Sequence, residues 1–189
     1  MGCRLWRVGL GLGSLMVVGG LGLYGHTLAE DPQALAQANP LRLQLALWLG
    51  KDANVVDGRG KTALFFVESG LKARLLLHSG ADPNRPDYGG ASPLHQAARL
   101  GNPEVTKALL QGGAEVNARF GAGGLPLHFA AWSGNPEVVR LLLEHGSEID
   151  EPDGYGLTPL QIAQDMRRWE AAILLSRWPR SASTIGHTD

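Results

Sequence analysis

Cysteine is almost missing from this chain. Cys3 is the only one, which excludes an intramolecular disulfide, a CxxC redox pair and a thiolate zinc site. Charge is sparse as well. Charged residues make up 19% of the sequence and the formal net charge is -1, so the broad basic field that phosphate binding requires is lacking. Nucleic acid is therefore not an expected partner. The sequence also has no HExxH, no GxSxG and no glycine loop leading into a lysine. The single thiol lies ahead of an apolar run, and no base accompanies the serines at a spacing that would activate them. These absences leave no expected enzyme activity, cofactor or metal. A chain without disulfides must find its stability in a core, and a continuous repeat core would supply it.

Glycine is abundant, at 26 residues. Part of it falls in the N-terminal segment, where Arg4 and Arg7 precede an uncharged run from Val8 to Gly25. That is the form of a signal peptide or signal anchor spanning 1–29. Thr27-Leu28-Ala29 sets small residues where a signal peptidase reads, favouring cleavage after Ala29. Loss of Arg4 and Arg7 would move the net charge from -1 to -3. A retained run is near the lower length for a membrane helix, and its glycines weaken it as a helix. Either way the basic start stays in the cytoplasm and the remainder is expected outside the inner membrane, periplasmic or exported. Acylation fits poorly, because Trp6 stands where the myristoylation pattern wants Ser or Thr and Cys3 precedes the apolar run.

Much of the remaining glycine recurs at fixed positions. Ser92-Pro93-Leu94-His95, Leu125-Pro126-Leu127-His128 and Thr158-Pro159-Leu160-Gln161 repeat at a spacing of 33 residues. The first two lead into Gly101-Asn102-Pro103-Glu104-Val105 and Gly134-Asn135-Pro136-Glu137-Val138, then leucine runs, then Gly113-Ala114-Glu115-Val116-Asn117 and Gly146-Ser147-Glu148-Ile149-Asp150. Thr62-Ala63-Leu64-Phe65 is a degenerate copy whose interval to Gly80 is about three residues short, which predicts a clipped or irregular helix. Leu47-Trp48-Leu49-Gly50 and Asp52-Ala53-Asn54 read as the second half of a copy further upstream.

These motifs resemble the ankyrin-repeat family over roughly residues 31–178, with its TPLH turn, GAxVN-like segment and paired helices. The resemblance implies an all-α ankyrin-repeat solenoid with β-hairpin-like loops. It divides the chain into a half repeat at 31–58, repeats at about 59–91, 92–124, 125–157 and 158–178, and a disordered tail at 179–189. Local chemistry agrees. Ser92, Thr158, Asn102 and Asn135 are cap residues, each followed by proline at the first helical position. Gly80, Gly113 and Gly146 fit a left-handed helix end. At the ends, one helix over Pro32 to Leu49 is expected to turn Leu41, Leu45 and Trp48 inward. Trp169, Ile173 and Leu174 are expected to face inward too, with Arg167, Arg168, Arg177 and Arg180 keeping the terminal surface soluble.

The residues most like a chemical site have plainer readings. The resemblance implies that His95 and His128 bond to the backbone of the turns, and His78 and His145 end second helices, where a donor suits exposed carbonyls. Asp57, Asp87 and Asp153 recur with a glycine three residues on, which suits carboxylates accepting local backbone bonds rather than calcium; Phe120 breaks the series. Family resemblance places ligands on the hairpin tips and first helices. The tips carry Arg59, Lys61, Arg85, Tyr88, Arg119, Phe120 and Tyr155, and the first helices carry Arg99, Leu100, Trp132, Ser133, Asp165 and Met166. Tryptophan, tyrosine and arginine dominate interface energetics, so Trp132, flanked by Tyr88, Arg99 and Phe120, is the expected hot spot. The expected partner is another protein, bound by a monomer as a helper or immunity protein. The membrane would be met only through the N-terminal segment, and the alternative is a membrane-tethered ankyrin scaffold.

Overall fold

The computed structural model describes residues 31–179, so the expected leader, Cys3, Arg180 and most of the expected tail lie outside the described residues. Among the described residues the helices come in pairs. They are α1 (Pro32–Gln37) and α2 (Pro40–Trp48), a 3₁₀ turn η1 (Ala63–Phe65) and α3 (Gly70–His78), α4 (Pro93–Leu100) and α5 (Pro103–Gln111), α6 (Pro126–Ser133) and α7 (Pro136–Glu144), and α8 (Pro159–Asp165) and α9 (Trp169–Arg177). No strand forms among the described residues, and one antiparallel bridge joins Phe120 to Gly124. None of these helices is long and apolar enough to cross a membrane.

The caps set the boundaries. The Ser92 hydroxyl accepts from the His95 N–H, Asn102 from Val105, Asn135 from Glu137 and Val138, and Thr158 from Gln161, each with proline next in the chain. Satisfying those orphan N–H groups is worth about 1 kcal/mol per cap. Gly80, Gly113 and Gly146 all take φ of +87° just past the second helices, as expected. The degenerate copy is indeed clipped, since Ala63–Phe65 forms a single 3₁₀ turn where the others build a two-turn helix.

The pairs stack in series. First helices pack α4 on α6 on α8, and second helices pack α2 on α3 on α5 on α7 on α9. Leu76, Leu109, Leu142 and Leu175 occupy the same register in successive repeats and are fully buried, each contributing about 2 kcal/mol of apolar transfer. Asparagines tie the repeats edge to edge. The Asn54 amide donates to the Gly80 carbonyl at 2.8 Å while its oxygen accepts from the Asp82 N–H at 2.8 Å. Asn84 does the same with Gly113 and Glu115 at 3.0 and 2.8 Å, and Asn117 with Gly146 and Glu148 at 3.2 and 3.1 Å. A second ladder runs from Asn102 to the Glu68 carbonyl and from Asn135 to the Gly101 carbonyl, and Arg168 Nε continues it to the Trp132 carbonyl.

Both ends differ from expectation. The N-terminal segment is two helices, because Pro40 lacks an N–H and the Asn39 side chain caps a new start through the Arg42 N–H at 2.8 Å. Within α2, Leu43 and Ala46 face inward, while Leu41, Leu45 and Trp48 are exposed. Within α9 the buried residues are Ala171, Ala172 and Leu175, while Trp169 and Ile173 are exposed and Leu174 is half-buried. The reason is the repeat register. Neighbouring second helices meet at the positions equivalent to Thr106 and Leu109, which are Leu43 and Ala46 in α2 and Ala172 and Leu175 in α9.

Candidate protein-binding cleft

The tips of three repeats are built by one aspartate device. Asp57 Oδ1 accepts the Arg59 and Lys61 N–H groups at 2.8 and 2.9 Å, Asp87 those of Gly89 and Ala91 at 3.0 Å each, and Asp153 those of Tyr155 and Leu157 at 2.9 and 3.0 Å. Each carboxylate is thus occupied by its own turn, and among the described residues no cluster of three or more His, Cys, Asp or Glu could hold a metal ion. The third tip lacks the device. Phe120 exchanges two backbone bonds with Gly124 at 3.0 and 2.9 Å, and its ring is free to pack inward.

That ring forms one side of an aromatic cluster. His95 lies 5.7 Å from Phe120 and 5.5 Å from Phe129, edge to face, and the two phenylalanines are 5.7 Å apart. His95 Nδ1 accepts from the Ser92 N–H at 3.2 Å and lies 2.8 Å from the Ser92 hydroxyl, and Nε2 donates to the Gly124 carbonyl at 3.2 Å. This pattern requires the neutral ring, and burial pushes its pKa below the ordinary value, overcoming the nearby backbone carbonyls and Asp87. Both His95 and His128 bond to turn backbone as expected. His128 Nδ1 accepts from the Leu125 N–H at 3.0 Å, and its Nε2 is buried with no hydrogen bond of acceptable geometry. Burial lowers its pKa, outweighing the Asp153 carboxylate and the nearby Glu151, Leu157 and Leu125 backbone groups, which favour the charged form. His145, past the end of α7, approaches the Leu141 carbonyl through Nδ1 at 2.8 Å.

In front of the cluster opens a cleft of about 550 Å³ between the third and fourth tips and the first helices. Phe120, Phe129, Trp132, Tyr155 and Ile162 supply apolar walls, and Arg99 stands at its edge. Trp132 remains 46% exposed, so its ring is not consumed by the core. The tips approach closely here. A Cβ on Gly154 would lie 2.3 Å from the Ala122 carbonyl oxygen, so only glycine lets the third tip lean on the fourth.

Among the residues singled out by sequence, Arg99, Phe120, Trp132 and Tyr155 meet in this cleft. Tyr88 does not flank Trp132 there; its exposed ring lies against Gly60 and its N–H donates to the Arg59 carbonyl at 2.9 Å. Lys61 sits 4.0 Å from Asp87 and over the Phe65 ring, and Arg85 donates to the Asn54 carbonyl at 3.2 Å. Arg119 is paired with Glu151 at 2.7 Å, and the Ser133 hydroxyl turns back to the Ala130 carbonyl at 2.9 Å. Arg59, Leu100, Asp165 and Met166 are exposed and do not line the cleft. Phe129 and Ile162 were absent from the sequence reading. They share one register with Gln96, directly after the TPLH-like motif, and that column of a polar and two bulky apolar residues is the signal that would have found them.

Comparison with known proteins agrees with this architecture. A family model of ankyrin repeats in many copies matches residues 71–110 and 94–143, and one of three ankyrin copies matches 121–182. The potassium channel GORK of Arabidopsis thaliana is 30% identical over 81 residues, covering 43% of this chain and 10% of the channel. The chain therefore spans about a tenth of the curated relative it matches. With helix pairs stacked in series, caps in register and family matches running across more than half its length, the chain belongs to the ankyrin-repeat family, whose repeats mark a protein–protein interaction module.

Proposed function

We propose that the protein is exported and binds another protein through the cleft walled by Phe120, Phe129, Trp132, Tyr155 and Ile162, without catalysing a reaction. The observation that carries this reading is the cleft itself, an apolar concavity left open beside a half-exposed tryptophan. Its occupant is a partner segment that places an apolar side chain between the rings. A periplasmic helper that protects or positions an enzyme, or an immunity protein that neutralises a toxin, would use such a grip. Quantitative capture by the full-length chain tests it. Trp132→Ala should weaken the captured complex by about 2 kcal/mol or more while Lys107→Ala, on the far side, leaves it unchanged. Equal recovery with folded Trp132→Ala would remove the cleft from the account.

A second reading keeps the apolar run from Val8 to Gly25 and makes the solenoid a membrane-tethered scaffold. The observation that favours it is the exposed apolar face of α2, at the end of the stack nearest that run in sequence. Intact mass of the protein recovered from membranes separates the two, since a mature start at Glu30 excludes the tether.

A further inference from the structure

The N-terminal end of the stack is surfaced like an interior. Leu41, Leu45, Trp48 and Leu49 are 78%, 45%, 80% and 63% exposed. Their spacing sets them along one side of α2, opposite Leu43 and Ala46. Terminal repeats of solenoids ordinarily carry a polar outer face, because nothing stacks on them. The far end of this stack follows that rule better: its exposed Trp169 and Ile173 are interleaved with exposed Arg167, Arg168, Glu170 and Arg177. A run of four large apolar side chains on a solvent-facing helix indicates a surface with something to cover it.

The chain itself points to what that is. The uncharged run from Val8 to Gly25 is joined to the start of the stack at Asp31 by residues 26–30 alone. A linker of that length spans at most about 17 Å when fully extended. A bilayer holding residues 8–25 therefore lies within that reach of the stack's N-terminal end, where α2 packs. Leucine and tryptophan beside the basic Arg42 and Lys51 are the composition of a helix lying in the headgroup boundary, with rings and aliphatic chains below and cations at the phosphates.

We propose that the outer face of α2 is a membrane-contact surface, seated on the same bilayer that holds residues 8–25, so that the stack stands on its N-terminal end with the binding cleft further along the stack. This rests on the tethered reading. Lipid then covers Leu41, Leu45, Trp48 and Leu49 as a further repeat would, and the scaffold has a fixed orientation instead of swinging on its leader.

The test uses the full-length chain reconstituted in vesicles of phosphatidylethanolamine and phosphatidylglycerol, with photoreactive benzoylphenylalanine in place of Trp48 or, separately, of Lys107. Both positions are exposed, so neither replacement threatens the core. Mass spectrometry after illumination should find lipid adducts at position 48 at least tenfold above those at position 107. Equal yields at the two positions, no lipid adduct at 48, or a chain-to-chain dimer through 48 would each overturn the membrane contact. Intact mass of the protein from its native membranes is measured alongside. A start at Glu30 defeats the tethered reading and this proposal with it; a retained leader without lipid adducts at 48 defeats the contact alone.

Discussion

His95 joins the stability of the fold to the shape of the cleft, so its removal has a calculable effect. His95→Ala deletes the acceptor of the Ser92 N–H and hydroxyl and the donor to the Gly124 carbonyl. At about 1 kcal/mol for each bond, that is about 3 kcal/mol. The edge contacts with Phe120 and Phe129 add about 1 kcal/mol. A loss of about 3–4 kcal/mol is a large share of a domain's stability, typically about 5–15 kcal/mol. Urea unfolding followed by circular dichroism at pH 7.5 measures it. The same residue predicts a pH dependence. Burial holds the folded-state pKa of His95, and of His128, below the ordinary histidine value of 6.5. As pH falls below that value the unfolded chain takes up protons first, so stability is full above it and declines as pH drops toward the lowered folded-state values. His95→Ala should flatten part of that decline. A loss under 1 kcal/mol in the variant, or a wild-type chain no less stable at pH 5.5 than at pH 7.5, would refute the reasoning.

Three further outcomes follow from single contacts. Asn84→Ala removes the two bonds its side chain makes to the next repeat and should cost about 1–2 kcal/mol in the same urea assay, tempered by their exposure. Arg167 is the only non-glycine with positive φ among the described residues, at +55°, in the register that Gly101 and Gly134 occupy, so Arg167→Gly should raise the thermal midpoint through about 0.5–1 kcal/mol of relieved backbone strain. Gly154→Ala puts a methyl group against the Ala122 carbonyl, and should cost about 1–3 kcal/mol while shifting backbone resonances of residues 120–124.

The repeat was legible in the sequence because its signals are local and redundant. Ser92-Pro93, Asn102-Pro103 and Gly113 each fix a boundary by their own chemistry, and the register repeats them. The aspartate turns were legible for the same reason, and so were the backbone bonds of His95. The faces of the end helices were not. In α2, leucines at 41, 43, 45, 47 and 49 alternate with other residues, so apolar periodicity does not select a face. Counting back from Gly80 to Gly50 would have chosen Leu43 and Ala46, the counterparts of buried Ala73 and Leu76. The cleft was legible in part. Phe120 and Trp132 stood out as bulky residues at positions the repeat leaves open, whereas the grouping of Phe129 and Ile162 with Tyr155 arises from contacts between repeats. Tyr88 drew attention by residue type, yet its place over Gly60 depends on how adjacent tips pack.

The cleft between the third and fourth tips is the surface proposed to take a partner. Amide hydrogen exchange of the full-length chain, alone and with the captured partner, reads that directly. Protection should appear at residues 119–124, 129–133 and 153–157, with the outer helices α5 and α7 unchanged. Protection confined to α5 and α7, with the cleft exchanging as in the free chain, would contradict it.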